Sequence, residues 1–429
     1  MSDMFIDFPS SNVTIRGTEG IEFPPMALVR QKFARDEIAD LAGHLLREME
    51  EKVEDHSWFA GKRIAITAGS RGIPHVDLIL RTMVTRLKEW GALPFIIPAM
   101  GSHGGGTAEG QREMLEGYHI TEENIGCPII SSMEVEQYSS LADGTPLFCD
   151  KNAYHSDGIV IFNKIKPHTN FHGPHESGLA KMTAIGISKH EGASRFHMGG
   201  YHTFAKRIPE TCAEFLRCCS CVFGLAVVQN AYDDICRLEV VRPENFLQRD
   251  AELLKEAYSY MPHFKGKDME IVIVDEIGKN ISGNGFDPNV ISHSALNYQK
   301  LMICGLTPET HHNACGLGCA EITTRRVLRD IDWNATWTNI ITSTNIESGS
   351  IPLYMDNDRD SLMVCIRTSV GVDFNNMRIA RVKNTLSMDT IMVSPAYWET
   401  IKDRDDVEML EDFRPMEFDG DGFLTNCWN

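Results

Sequence analysis

The chain has 429 residues, 42% of them hydrophobic and 24% charged, with a formal net charge of -19. That composition fits a globular protein, its length predicts two domains at roughly 100 to 200 residues each, and its acidity opposes binding to nucleic acid or anionic lipid. No window approaches the roughly 18 unbroken apolar residues of a membrane span, and Met1-Ser2-Asp3-Met4-Phe5-Ile6-Asp7 lacks the basic and apolar regions of a secretion signal, so a cytoplasmic location is expected.

Residues 31 to 54 are charged with helical spacing and predict a helix. Lys62 to Ala68 is a short apolar run ending in Gly69-Ser70-Arg71-Gly72, a buried strand entering a loop. Val76 to Trp90 has helical spacing, and Leu93 to Met100 reads as a second buried strand that runs into Gly101-Ser102-His103-Gly104-Gly105-Gly106-Thr107. Ala108 to Gly117 is helical in pattern. Two successive strand, loop, helix units predict an α/β fold whose functional loops leave the strand ends. Gly158 to Phe162 is a third strand, Cys221 to Gln229 a fourth, and Asn245 to Tyr260 a helix. A polar break at Pro262 to Asp268 places the domain boundary near residue 265, before a strand at Met269 to Val274. Further on come the loop Ser282 to Asn289, a helix around Ala320 to Arg329 and a threonine-rich run from Thr336 to Thr344. The expected domains are therefore 1–265 and 266–400, with an acidic tail, 401–429, packing back on the body.

The twelve cysteines are scattered. Without a secretion signal they read as thiols. Cys218 and Cys221 form one C-x-x-C beside Cys219, and Cys315 and Cys319 form a second group, but no partner C-x-x-C follows at zinc-ribbon spacing. Buried thiols are the preferred reading.

The loops carry the chemistry. Gly101 and Gly106 are spaced like a phosphate loop, yet the lysine that should follow the second glycine is absent, which argues against a nucleoside triphosphatase. What remains is His103 among small neighbours that let a ligand approach, or else a turn histidine. Arg71, at the end of the first strand, suits a carboxylate or phosphate. The densest signal is the stretch after the third strand, where His168, His172, His175, His190 and His197, five of the sixteen histidines, crowd among glycines and prolines. Imidazoles in such a loop point to proton transfer, metal binding or both. Lys181 lies among Ala180, Met182 and Ala184, where partial burial would favour a nucleophilic neutral amine; an ordinary surface lysine is the alternative.

Four ordered elements, Gly101-Ser102-His103, Pro167-His168, Ser177-Gly178-Leu179-Ala180-Lys181 and His197 sixteen residues after that lysine, resemble the nickel-pincer lactate racemase family over most of the chain. The resemblance implies two α/β domains with parallel or mixed sheets flanked by helices and an active site at their interface. It implies nickel held by a nickel-pincer nucleotide, pyridinium-3,5-bisthiocarboxylic acid mononucleotide, tethered at Lys181, with His197 as the protein's metal ligand, a donor set that suits square-planar nickel(II). Ser70 and Arg71 would line the cofactor, His103 and His168 would be the two acid/bases, and Arg71 would hold the substrate carboxylate. The implied reaction is inversion at C2 of a 2-hydroxy acid by hydride transfer through a 2-keto acid.

Twelve residues separate His168 from Lys181, which looks longer than in the lactate enzyme and makes His172 a rival second base or a substrate contact. The second domain offers no counterpart to the lactate-contacting tyrosine, glutamine and lysine; Asp287, Asn289 and Thr342 to Thr344 stand as polar contacts for a larger hydroxy acid, such as a sugar acid. Expected partners are a small anionic 2-hydroxy acid and the proteins that make the cofactor, with no nucleic acid and no membrane; a homo-oligomer is left open. The competing readings are a zinc-type hydrolase or lyase built on the histidine loop, and a non-catalytic binder of acidic metabolites.

Overall fold

The computed structural model describes residues 3–70, 72–343, 345–425 and 428. Its α/β chain divides into two compact units, one of residues 34–261 and one joining the residues up to Phe33 to those from Pro262 onward. The sequence predicts residues 1–33 in the first domain. Instead strand β1 (Met26–Gln31) lies in the second unit's sheet, because its partners are far along the chain: Ala27 opposite Val393 on one side and Gln31 opposite Val407 on the other. The helix expected over 31–54 is shortened to α1 (Leu41–Lys52), since the amides of Gln31 and Lys32 bond to the carbonyls of Asp389 and Asp406. Asp40 then caps the helix by accepting from the Gly43 amide at 2.9 Å.

The 34–261 unit continues with β2 (Arg63–Ala68), α2 (Val76–Glu89), β3 (Leu93–Pro98) and α3 (Ala108–Gly117). A separate hairpin follows, β4 (Val135–Ser140) with β5 (Pro146–Asp150), then β6 (Gly158–Lys164), α4 (Lys189–His197), α5 (Phe204–Cys218), β7 (Cys221–Gln229), β8 (Ile235–Val241) and α6 (Phe246–Tyr260). Its sheet runs β3-β2-β6-β7-β8; the first four strands are parallel and β8 is antiparallel to β7. The strands alternate between two cores, as a sheet covered on both faces requires. Ile64 and Ile66 of β2 with Val160 and Phe162 of β6 pack on Leu45, Met49, Leu80 and Met83 of α1 and α2. Ala65, Ile159 and Ile161 face Phe204, Ile208, Phe215 and Leu253 of α5 and α6. Each large side chain buried this fully contributes about 1.5–3 kcal/mol.

In the other unit β1 joins β9 (Ile271–Val274), β10 (Lys300–Ile303), β11 (Ile322–Thr324), β12 (Leu353–Met355), β13 (Ile379–Val382), β14 (Thr390–Val393) and β15 (Val407–Arg414) in the order β12-β11-β10-β9-β13-β14-β1-β15. The helix expected over Ala320 to Arg329 is β11 followed by one short helix, Arg325–Arg329, because the buried β-branched run Ile322-Thr323-Thr324 pairs with β10 and β12. Of the threonine-rich run, Thr336 to Ser343 falls in helix α7 (Trp333–Ser343). The acidic tail supplies β15, which pairs with β1. No helix among the described residues is long and apolar enough to cross a membrane.

Candidate active site in the 34–261 unit

Three loops leave the C-terminal ends of neighbouring parallel strands: Ser70 follows β2, His103 follows β3 and the histidine loop follows β6. That edge is where open α/β sheets place their ligands. His103 Nδ1 lies 2.6 Å from Ser70 Oγ, and the Tyr118 hydroxyl donates to the Ser70 carbonyl at 2.7 Å. The fully buried Gln111 secures the loop by donating Nε2 to the carbonyls of Gly101 (3.0 Å) and His103 (3.2 Å). Gly101 has φ +59°, its amide donates to the Gly186 carbonyl at 3.1 Å, and a Cβ there would sit 3.2 Å from Ala193 Cβ. Glycine is what lets the His103 loop dock against the segment that carries Lys181 and His197.

The histidine loop is closed at its neck by paired backbone bonds between Lys166 and Ser177, at 2.9 and 3.2 Å. Inside it, Glu176 is 1% exposed. Its Oε2 accepts from the His168 amide at 2.6 Å, and its Oε1 accepts from the Gly173 amide at 3.1 Å and the Tyr258 hydroxyl at 2.9 Å. A buried carboxylate with three donors is a strong local organiser. His168 is itself buried, and its Nδ1 accepts from the Asn170 amide at 3.0 Å. Neutral His168 therefore carries its proton on Nε2. Glu176 thus closes a ring on the backbone of His168.

Beyond the neck, Leu179–Lys181 forms one helical turn that passes directly into a π-helix, Met182–Gly186, with the Ile187 amide bonded to the Met182 carbonyl at 3.0 Å. Such π turns recur at functional sites. Lys181 Nζ stands 5.5 Å from the centre of the Phe171 ring. At the far end of α4, His197 Nδ1 lies 2.7 Å from the Ala193 carbonyl, which can only accept, so Nδ1 carries the proton and Nε2 keeps its lone pair. Desolvation by its surroundings holds the His197 pKa below its ordinary value against the Ala193 bond, and the Lys181 charge lowers it further. His197 is nonetheless an exposed residue. His197 packs edge-on to Tyr201 (5.9 Å) and Phe204 (5.2 Å), and His168 packs on Phe171 (4.4 Å) and faces Tyr201 at 6.2 Å. One aromatic cluster thus gathers Lys181, His168 and His197.

The start of α4 is fixed by a residue that the sequence does not single out. Lys189 is fully buried in the left-handed region (φ +56°), its Nζ 2.9 Å from Asp150 Oδ2 and donating to the Pro98 carbonyl at the end of β3. Burial lowers its pKa while Asp150 opposes the shift. The lysine thus ties the helix of His197 to the end of β5 through Asp150 and to the end of β3, which leads into the His103 loop, through Pro98. Sequence reasoning also misses Glu176, Tyr258, Asp250, Phe171 and Tyr201; only the spacing of Asp250 and Tyr258, two turns apart on α6, leaves a trace in the sequence.

The remaining histidines separate. His172 is exposed with Nδ1 3.0 Å from the Tyr258 hydroxyl, His190 is exposed with Nε2 3.4 Å from Ser194 Oγ, and His175 is buried against Asp250. Arg71 and Thr344 lie outside the described residues, as does the side chain of Thr342. Asp287 and Asn289 belong to the other unit, where Asp287 Oδ1 accepts from the Asn289 amide and side chain at 2.9 and 3.0 Å and so shapes its own turn. Burial, the largest cause in each case, raises the thiols of Cys218 and Cys221, and that of Cys212 to about 12. Among the described residues no three His, Cys, Asp or Glu side chains gather to hold a metal.

No family model matches the chain, and no curated protein matches it. Among solved structures, the lactate racemase apoprotein from Thermoanaerobacterium thermosaccharolyticum is similar at 15% identity and a TM-score of 0.49, over 84% of this chain and 94% of that one.

Proposed function

We propose that this protein is a racemase or epimerase that inverts C2 of a 2-hydroxy acid, with a nickel-pincer nucleotide tethered at Lys181. The observation that carries the reading is the gathering of Lys181, His168 and His197 around Phe171 and Tyr201, with the lone pair of His197 Nε2 available to a metal. A catalytic metal held by protein alone needs about three side-chain donors. A single imidazole instead suits a metal whose other donors come from an organic group, which favours this reading over a zinc-type hydrolase. The lowered pKa of His197 keeps it neutral, as a ligand must be. Its Nδ1 bond to Ala193 fixes the ring orientation.

Lys181 would hold the group through a thioamide and His197 Nε2 would complete the nickel coordination. When bound, that group supplies a hydride acceptor for C2. The chain's own residues handle the protons and the carboxylate. Arg71 takes the substrate carboxylate. His103, whose Nδ1 is oriented by Ser70 Oγ, would take the 2-hydroxyl proton as a neutral imidazole, while His168 would start as the imidazolium, giving up the Asn170 bond to Nδ1, and return a proton to the carbonyl oxygen. One turnover exchanges these protonation states, so each form of the enzyme accepts one enantiomer. His168 is preferred to His172 as the second acid/base because it is buried on the aromatic cluster, whereas His172 is exposed and turned to Tyr258. A hydroxy acid larger than lactate as the substrate belongs to the same proposal.

The test is a panel of 2-hydroxy acids, including sugar acids, followed for inversion at C2 in heavy water with cofactor-loaded protein. Inversion with retention of the C2 hydrogen is expected. Inversion with solvent deuterium at C2 would mean proton abstraction from carbon, and would overturn hydride transfer.

A further inference from the structure

Helix α6 sends one buried carboxylate into the Lys181 segment. Asp250 is 1% exposed, its Oδ2 accepts from the Ala180 amide at 3.1 Å, and its Oδ1 faces His175 Nδ1 at 3.6 Å. Those last two atoms have no hydrogen-bond partner among the described residues, although both are sealed from solvent. Gly178 completes the arrangement: its φ of 172° is ordinary extended backbone, but a Cβ would stand 2.3 Å from Asp250 Oδ2. The glycine is required by the close approach of the carboxylate, not by conformation.

We infer that Asp250 is a positioning residue for Lys181. The carboxylate holds the single helical turn that aims the lysine, and through His175 it ties that turn to the loop presenting His168. Eight residues along the same face of α6, Tyr258 binds Glu176, so one helix braces both the tether and the proton carrier. A charge in this place is costly to bury unless its bonds define geometry. The Ala180 amide takes one oxygen of the side chain, and the other faces His175 Nδ1 at 3.6 Å. The role assigned to Lys181 rests on the proposed function; the position of the amine does not.

The experiment therefore reads the amine directly. Apoprotein is treated with a limiting amine-acylating reagent, and labelling of Lys181 is quantified by peptide mass spectrometry against Lys206, an exposed lysine on α5. In D250A the turn loses a charge-assisted bond and Lys181 should label about fivefold faster, with Lys206 unchanged. G178A, which displaces the carboxylate without deleting it, should do the same. D250N keeps an acceptor for the Ala180 amide and should stay near the wild-type rate. In protein made with the cofactor pathway, D250A should carry at least about tenfold less Lys181 adduct than D250N, the isosteric rescue. Wild-type labelling of Lys181 in folded D250A or folded G178A would overturn the inference, and so would loss of native circular dichroism in D250N, which would make Asp250 a support of the whole unit. Absence of any adduct in the wild type would count against the proposed function and leave the labelling result standing.

Discussion

Replacing Lys189 by methionine removes the cation of an ion pair in which neither side chain is exposed and which joins the first residue of α4 to Asp150 at the end of β5, and with it the bond to the Pro98 carbonyl of β3. Asp150 would remain with an uncompensated buried charge. Deleting one partner of such a pair costs about 3–5 kcal/mol, whereas removing both charges is often close to neutral. K189M should therefore lower the unfolding free energy of the 34–261 unit by about 3–5 kcal/mol, about 6–20 °C in Tm for a unit of this size. K189M/D150N should recover at least about half of that, because the carboxamide oxygen of the substituted side chain can take the place of Asp150 Oδ1 in capping the amides of Asn152 and Ala153. Urea unfolding of the four proteins of the cycle, followed by tryptophan fluorescence and circular dichroism, gives the coupling energy. A single variant within about 1 kcal/mol of the wild type, or a double variant no better than K189M, would refute the claim that this pair fastens α4 to β5.

S70A takes away the partner of His103 Nδ1, and kcat for inversion should fall about 10- to 100-fold with KM nearly unchanged, measured in steady state on the best substrate of the panel. H197A should abolish nickel retention after gel filtration while leaving the Lys181 adduct in place. Burial raises the pKa of Asp358 in the second unit above 3.8, against the pull of the Leu424 amide and Arg326. A carboxyl with a raised folded-state pKa binds its proton more tightly folded than unfolded, so it costs stability as pH rises from 3.8 through the folded value. D358N should accordingly gain on the wild type in melting temperature between about pH 4 and pH 7; an advantage that shrinks with rising pH would contradict the sign.

Much of the first α/β unit is legible in the sequence because glycine and proline punctuate it. Ala108 to Gly117 begins after Thr107 and Cys221 to Gln229 is an unbroken apolar run, and both elements form with the expected bounds. The place of β1 is not legible. Nothing local in Met26–Gln31 marks its pairing with residues some 360 positions away, and a strand between two such partners leaves only an apolar run. The helix expected from residue 31 fails for the same reason, since tertiary bonds from Gln31 and Lys32 override a helical charge pattern. At the site, the imidazoles and Lys181 announce themselves by their density in a loop unsuited to regular structure. Their supports do not: Glu176, Asp250 and Lys189 are charged residues whose burial depends on the packing of α4 and α6, and sequence alone would place them on the surface.

The central claim is that Lys181 carries a nickel-pincer nucleotide, and intact-protein mass spectrometry with metal analysis tests it most directly. Protein produced with the cofactor-making proteins present should show added mass that maps to the Lys181 peptide, together with about one nickel per chain. An unmodified Lys181 under those conditions, or zinc bound with full activity and no added mass, would contradict the account.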